Sequence, residues 1–202
     1  MDKLKKFWIF LTIFVVIDIC LTTLLPVKFL VNFVFDDSCF YIKTAYNFSS
    51  GLGSTFDGIN ITNGYQPLWF MILAGVFSIC LRFADSCSPQ FLLRITIFIH
   101  FLLFYLTFYF TYKSFKLLFH TYAVKINLLL CTSLCITPIF IRNVGMEMPL
   151  TTLLFAIYLW IKSREIILNE DNHIFKIVLL ILISLARIDF FFSFVPILIL
   201  YE

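Results

Sequence analysis

The chain has 202 residues, of which 61% are hydrophobic and only 13% are charged, and its mean hydropathy is +0.99. A water-soluble domain is nearer half apolar and a quarter charged, so this composition predicts a membrane protein. The net charge of +3 is small and spread among hydrophobic segments. That pattern excludes the clustered basic face that nucleic-acid binding requires, so no nucleic-acid partner is predicted.

The first predicted element is a membrane helix over residues 7–25, an apolar run long enough to cross a bilayer core. Lys3, Lys5 and Lys6 precede it, and basic residues favour the cytoplasmic side, so the N-terminus is predicted to be cytoplasmic. A signal peptide has a shorter apolar stretch and a small-residue cleavage site. We therefore predict an uncleaved first helix.

Residues 26–66 form the one long polar segment, which would lie on the non-cytoplasmic side. Its glycine, asparagine and aspartate residues favour tight turns, through positive φ or through hydrogen bonds from side chain to backbone. Tyr65 and Trp69 are residue types of the membrane interface, and Pro67 suits the first turn of the next helix. We predict an ordered outer-face loop that bears short interfacial helices and frames a cavity.

Five further apolar segments follow: residues 67–82, 91–112, 124–141, 149–161 and 177–201. If all of them cross the membrane, the basic stretches 113–125 and 162–176 face outward, against the usual charge bias. If the short segment 67–82 enters only partly, both stretches face the cytoplasm, and Glu147 joins Asp36 and Asp37 outside. We favour this second arrangement. The predicted fold class is all-α, a polytopic transmembrane helix bundle in which residues 1–202 form a single membrane domain.

Asp36 and Asp37 directly follow an apolar run, which places two carboxylates at or near a membrane surface. Placing ionised carboxylates at that depth costs free energy, so such residues usually have a structural or functional role. One interpretation is an acidic pair that marks a helix end in the headgroup zone. The other is a site whose carboxylates bind a divalent metal ion or accept a proton from a hydroxyl group.

Three more charged residues interrupt apolar segments. Glu147 follows Gly145 between two apolar runs, where it could simply favour a helix N-terminus. Arg187 and Asp189 lie inside segment 177–201, where charges usually pair, line a polar cavity or mark a function. Residues two apart do not share a helical face, so we predict a local break that turns both toward water or a ligand. Arg187 suits a phosphate group, through two parallel hydrogen bonds.

Other polar patterns predict no site by themselves. The six cysteines show no metal-ligand spacing, and we interpret them as buried thiols that act as small apolar side chains. Asn47 and Asn60 each begin a glycosylation tripeptide, a pattern that is common by chance. Asp18 and His100 lie within predicted spans, and the sequence assigns no role to either.

The order of the polar motifs resembles the polytopic GT-C glycosyltransferases, above all bacterial relatives of dolichyl-phosphate mannosyltransferases and aminoarabinose transferases. The resemblance rests on "DDSCFYIKTAYNFSSGLGSTFDG…TNGYQPLW", then "GMEMPL", then "ARID", and it spans Asp36 to Asp189. In that family an acidic pair follows the first helix, and an acid-bearing motif comes later. An Arg-Pro-Asp/Glu-like motif comes last, and here Ile188 replaces its proline.

The resemblance implies transfer of a sugar from a polyprenyl phosphate, on the non-cytoplasmic side of a plasma or inner membrane. The reaction would be a displacement at an anomeric carbon with oxocarbenium character. By resemblance, Asp36 or Asp37 is the catalytic base or a ligand of a divalent metal ion, and Glu147 is a catalytic residue that helps bind acceptor, metal or sugar. Arg187 would hold the lipid phosphate and stabilise the leaving group. The other substrate-binding residues would be Asp189, Tyr65 and Gln66.

Members of that family continue well beyond the last motif, so we expect this chain to be an N-terminal part, or to need a second chain that completes the enzyme. One alternative is a non-catalytic truncated membrane subunit that keeps the fold and binds lipid or a partner chain. Another is a transporter or channel component with charged residues along its path. If the chain is an enzyme, Asp36, Asp37 and Glu147 should lie together at one outer cavity. If it is a non-catalytic subunit, these residues need not lie together.

Overall fold

Helices account for nearly all the regular structure in the computed structural model of this chain. The structure describes residues 23–83, 87–119, 144–170 and 172–193 continuously, and residues 8, 9, 12, 13, 16, 17, 20, 125, 196 and 200 individually. Within these residues the only β-type pairs are two isolated bridges, Val34 with Val144 and Thr55 with Ile61. The prediction of an all-α fold is confirmed at that level.

Seven helices lie in the described part of the chain, together with a 3-10 turn at Val31–Phe33. They are α1 (Val27–Leu30), α2 (Asp36–Ser49), α3 (Pro67–Phe83), α4 (Pro89–Phe119), α5 (Met148–Leu168), α6 (His173–Ala186) and α7 (Ile188–Ser193). The described positions between 8 and 24 are also helical, as the predicted first helix requires.

The predicted apolar segments correspond to helices, but several ends differ. Segment 67–82 matches α3 within one residue, whereas α4 has 31 residues and extends beyond segment 91–112 at both ends. Helix α5 has 21 residues and continues to Leu168, through charged residues that were expected to form a loop. Lysine, arginine and glutamate are good helix formers, so charge alone does not end a helix. The predicted span 124–141 falls outside the described residues, apart from Lys125.

Side-chain contacts fix the direction of the first helical segment relative to α4. The ring of Trp8 lies 5.9 Å from that of Tyr109. At the other end, the Arg94 guanidinium donates hydrogen bonds to the carbonyl oxygens of Thr23 (3.0 Å) and Leu25 (2.7 Å). The first segment and α4 therefore run antiparallel.

Helices α4 and α5 run in the same direction. The backbone N–H of Gly145, just before α5, donates to Nδ1 of His100 at 3.3 Å. Further along both helices, the rings of Phe110 and Trp160 lie 5.3 Å apart. Helix α6 then returns along α5 in the opposite direction, since Asn169 ends α5 in the left-handed conformation and α6 begins at His173.

The two ends of this helix bundle differ in charge. The end reached by the last turns of α4 and α5, here called the basic end, carries Lys113, Lys116, Lys162, Arg164 and Lys176. The opposite end, here called the acidic end, carries the acids Asp36, Asp37, Glu147 and Asp189 and the cations Arg187, Arg94 and Lys28. The bridge between Val34 and Val144 holds the start of α2 at that same end.

Helices α2 and α3 lie side by side and both start at the acidic end. The backbone N–H of Gln66 donates to the Tyr41 hydroxyl at 2.9 Å, and eight residues on along each helix the Ser49 hydroxyl donates to the carbonyl oxygen of Ala74 at 2.9 Å. Helix α3 buries one face with helical spacing: Trp69, Phe70, Leu73, Ala74 and Phe77. This packing presents the first turns of α2 and α3 to the start of α5.

At the basic end, a buried lysine joins α6 to α5. Lys176 is only 1% exposed, and its Nζ lies 2.7 Å from Oε2 of Glu165, which also lies 3.4 Å from Nζ of Lys162. A buried ammonium group is tolerated because a carboxylate and hydrogen bonds offset its desolvation.

We expect Glu165→Gln to lower the free energy of unfolding by about 1–3 kcal/mol, because it takes a charged partner from a buried ammonium group. Lys176→Met, which removes that charge and keeps the volume, should cost much less or stabilise the protein. Thermal unfolding in detergent micelles measures both. An equal loss in the two variants would contradict this account of the ion pair.

Candidate functional site

The site is built around Gly145, in the turn that precedes α5. Its φ is +91°, a conformation that favours glycine, and a Cβ atom there would lie 2.9 Å from Cβ of the buried Ser38. The indole N–H of buried Trp69 donates to the Gly145 carbonyl oxygen at 2.8 Å, while the Gly145 N–H donates to His100. Helices α2, α3 and α4 thus hold this turn, and with it the position of Glu147.

Glu147 is a buried carboxylate at the N-terminus of α5, with 4% of the residue exposed. Its Oε1 lies 4.0 Å from Nη1 of Arg187. Its Oε2 is buried without a hydrogen-bond partner in the described part of the chain. Because leaving a buried polar atom unpaired is costly, this oxygen marks a position where a ligand or a water molecule would bind.

Arg187 lies at a break between α6 and α7, in extended backbone with φ −155° and ψ 108°. Its Nη1 is 2.7 Å from Sδ of Met148, and its Nε is 3.4 Å from Oδ2 of Asp189, which is largely exposed. The predicted local break is confirmed, and it lets residues two apart form an ion pair. One guanidinium therefore lies near the carboxylates of both Asp189 and Glu147.

Tyr65 and Gln66 lie next to this group, and the side chain of each makes a hydrogen-bonding contact within the protein. The Gln66 side-chain oxygen accepts a hydrogen bond from the backbone N–H of Ile188 at 3.0 Å, at the start of α7. The Tyr65 hydroxyl lies 2.6 Å from that of Ser54, and its ring stacks on Phe70. Both residues shape the rim of the site, and their predicted role as substrate ligands stays a prediction.

Tyr41 on α2 is a site residue that the sequence analysis missed. It is buried, and its hydroxyl accepts the Gln66 N–H. Burial raises the pKa of Tyr41 above its ordinary value, and the charge of the neighbouring Glu147 carboxylate raises it further. Tyr41 therefore lies between the start of α3 and Glu147. Only the three-dimensional packing reveals this, since nothing in "CFYIK" sets Tyr41 apart from other tyrosines.

Asp36 and Asp37 form the first turn of α2, and both are exposed. Neither carboxylate makes a hydrogen bond or ion pair with a described residue. Asp37 precedes Tyr41 by four residues, so the two lie on the same side of α2, with Asp37 nearer the helix end. The acidic pair therefore lies exposed at the start of α2, next to Ser38, which packs against Gly145.

The proposed metal ligands do not form a preassembled cluster. Among the described residues, no group of three or more histidine, cysteine, aspartate or glutamate side chains is placed to hold a metal ion. Exposed Asp36 and Asp37 supply carboxylate oxygens of the type that divalent cations prefer. Further ligands would have to come from a substrate phosphate or from water.

The loop 50–66 leads from the end of α2 to the start of α3 and is held by side-chain hydrogen bonds. The amide of buried Asn47 donates to the carbonyl oxygens of Thr55 (2.9 Å) and Phe56 (3.0 Å). Backbone N–H donation from Asn60 and Ile59 lowers the pKa of Asp57 from 3.8 to about 2. Because the folded pKa is the lower one, this contribution to loop order is present above about pH 4 and is lost as the pH falls through 2.

We expect Asn47→Asp to loosen this loop and to cost about 1–3 kcal/mol in the free energy of unfolding. The carboxylate has the same shape but cannot donate to the carbonyl oxygens of Thr55 and Phe56. Limited proteolysis within residues 50–66 and thermal unfolding measure the effect. Asn63→Asp, in an exposed part of the same loop, is the matched control and should change little. Equal protease resistance of both variants would contradict the role given to Asn47.

Fold and site together describe a helical protein with a buried carboxylate, a paired arginine and an exposed acidic pair at one end. Among the described residues, one helix, Pro89–Phe119, is long and apolar enough to cross a membrane. Helices α3 and α6 are apolar but shorter. No protein-family model, curated protein or solved structure matches this chain.

Proposed function

We propose that this chain is a multi-pass membrane glycosyltransferase, or part of one, that moves a sugar from a polyprenyl-phosphate donor to an acceptor on the non-cytoplasmic side. The observation that carries the proposal is the meeting of four separated sequence motifs at the acidic end. The start of α2, the start of α3, the turn at Gly145 and the break at Arg187 are joined by direct contacts.

The separation of charge along the bundle supports the proposed orientation. Basic residues favour the cytoplasmic side, so the basic end would face the cytoplasm and the acidic end the opposite side. The first helical segment runs antiparallel to α4, which puts Trp8 at the side of α4 that leads to the basic end. Helix α3 has 17 residues and is among the shorter apolar helices, so by length it is not a full membrane span.

In the proposed reaction, the unpartnered Oε2 of Glu147 accepts the proton of an acceptor hydroxyl, or a hydrogen bond from the sugar. Arg187 binds a phosphate oxygen of the leaving polyprenyl phosphate. A divalent metal ion held by Asp36 or Asp37 together with the phosphate would offset the charge of the phosphate.

The test is transfer of labelled sugar from polyprenyl-phosphate donors, in membranes that carry this chain. We expect transfer that is lost in the Asp36→Ala, Asp37→Ala double variant and retained in Glu170→Ala. Glu170 pairs with Arg164 near the basic end, so its loss changes an acid far from the site. Transfer that persists in the double variant would contradict the role of the acidic pair.

The second candidate is a non-catalytic membrane subunit that binds lipid or a partner chain. The exposure of Asp36 and Asp37 favours it, because an acidic pair that only meets lipid headgroups has to be exposed. This reading predicts no transfer with any donor by a folded, inserted chain. A partner chain that then restored transfer would show that the site needs completion.

A further inference from the structure

The start of α3 contacts the chain next to both charged groups of the site. The indole N–H of Trp69 donates to the carbonyl oxygen of Gly145 at 2.8 Å, two residues before the buried carboxylate. Three residues before Trp69, the side-chain oxygen of Gln66 accepts the backbone N–H of Ile188 at 3.0 Å, directly after the arginine. One helical turn therefore holds the two segments that carry these charges.

Gln66 is itself held in place by its backbone. Its N–H donates to the hydroxyl of Tyr41 on α2 at 2.9 Å, and its carbonyl oxygen accepts the N–H of Phe70 on α3 at 3.1 Å. Because the N–H of Ile188 can only donate, the Gln66 atom that faces it is the side-chain oxygen. A substrate-binding role of the same side chain would therefore use its amide nitrogen.

The bond to Gln66 replaces one that a continuous helix would make. The last backbone bond of α6 joins the N–H of Arg187 to the carbonyl oxygen of Ile183 at 3.0 Å. In an unbroken helix, the next N–H, that of Ile188, would donate to the carbonyl oxygen of Ser184. Since Arg187 is extended, with φ −155° and ψ 108°, that N–H donates to the Gln66 side chain instead.

The break decides where the guanidinium of Arg187 lies. With the break, its Nη1 is 4.0 Å from Oε1 of Glu147 and its Nε is 3.4 Å from Oδ2 of Asp189. In an unbroken helix, side chains two residues apart project in directions that differ by about 200°. Arg187 and Asp189 would then no longer pair, and the guanidinium would leave its present position.

We propose that Gln66 is a positioning residue whose side-chain oxygen holds the break between α6 and α7, and thereby sets the position of Arg187 relative to Glu147. Trp69 supports the turn before Glu147 in the same way, so the start of α3 is a common support for both charged groups. The consequence for sugar transfer rests on the proposed function, whereas the holding of the break does not.

The first test is amide-resolved hydrogen exchange of the full chain in detergent micelles. Gln66→Met keeps the length of the side chain and removes the acceptor, so exchange of the Ile188 amide should be about 3- to 10-fold faster, the effect of one hydrogen bond. Gln66→Glu keeps an acceptor oxygen and should restore the original rate. Gln90→Met, at an exposed position in the first turn of α4, is the matched control and should change nothing.

Two results of this test would overturn the proposal. One is an unchanged exchange rate of the Ile188 amide in the Gln66→Met variant. The other is exchange that is as fast in Gln66→Glu as in Gln66→Met. Thermal unfolding shows whether each variant is folded. If Gln66→Met does not fold, faster exchange in Gln66→Glu alone is sufficient to overturn the proposal.

The second test is sugar transfer in two backgrounds. Gln66→Met should lower transfer about 3- to 10-fold in the original chain, and it should change the residual rate of an Arg187→Gln variant little, because its effect passes through Arg187. An equal loss in both backgrounds would contradict the link to Arg187, since a general loss of structure would act in both. If the original chain transfers no sugar from any donor, the proposed function fails, while hydrogen exchange still decides the role of Gln66.

Discussion

Replacing Glu147 by glutamine is expected to lower sugar transfer by about 100- to 10,000-fold, the usual contribution of a general base. The amide keeps the shape of the side chain, so the turn at Gly145 and the start of α5 should remain folded. It removes the negative charge that faces Arg187 at 4.0 Å, and it replaces one carboxylate oxygen by a group that cannot accept a proton. Transfer of labelled sugar from polyprenyl-phosphate donors measures the loss.

The matched control is Glu170→Gln, which changes the same functional group near the basic end. It should leave transfer within about twofold of the original chain, because an exposed ion pair contributes little. Thermal unfolding of both variants separates a chemical effect from loss of fold. Full activity of the folded Glu147→Gln variant would remove Glu147 from the proposed reaction.

Replacing Gly145 by alanine is expected to lower the free energy of unfolding by about 2–4 kcal/mol, the sum of backbone strain and overpacking. Its φ of +91° is one that L side chains rarely adopt, and the new Cβ would meet Cβ of Ser38 at 2.9 Å. Since the Gly145 carbonyl oxygen and N–H bind Trp69 and His100, a shifted turn would also displace Glu147. Thermal unfolding and sugar transfer should both decline.

Gly75→Ala is the control, because a Cβ at this helical glycine in α3 meets nothing within 4 Å. There the expected change is a stabilisation of about 0.5–1 kcal/mol, from the lower helix propensity of glycine. Adding Ser38→Gly to Gly145→Ala removes the clash but not the strain, so it should restore part of the lost stability. If Gly145→Ala unfolds at the same temperature as the original chain, the turn is less constrained than its contacts indicate.

The sequence predicted those features that depend on local composition. The length of the apolar segment 67–82 predicted the position of α3. The two charged residues inside segment 177–201 predicted the break at Arg187. Helix ends were less predictable, because α5 continues through lysine, arginine and glutamate that form helix as readily as loop. The expected basic loop over 162–176 is therefore mostly two helix ends.

The candidate site was predictable in its charged residues and not in its supporting ones. Glu147 and Arg187 stand out because charge is rare in an apolar chain. Tyr41 and Asn47 do not stand out, since their importance comes from contacts with Gln66 and with the loop, which depend on how α2 packs beside α3. Asn47 was identified only as part of a glycosylation tripeptide, yet its buried amide is committed to two carbonyl oxygens.

The separation of charge between the ends of the bundle also has an electrical meaning. A cell membrane that is negative inside favours cations on its inner face, at about 2.3 kcal/mol per elementary charge for each 100 mV. In the proposed orientation, Lys113, Lys116, Lys162, Arg164 and Lys176 all lie on the favoured side. Inverting the protein would carry these cations outward against the voltage. The resting potential would thus reinforce one direction of insertion and keep the carboxylates of the site facing outward.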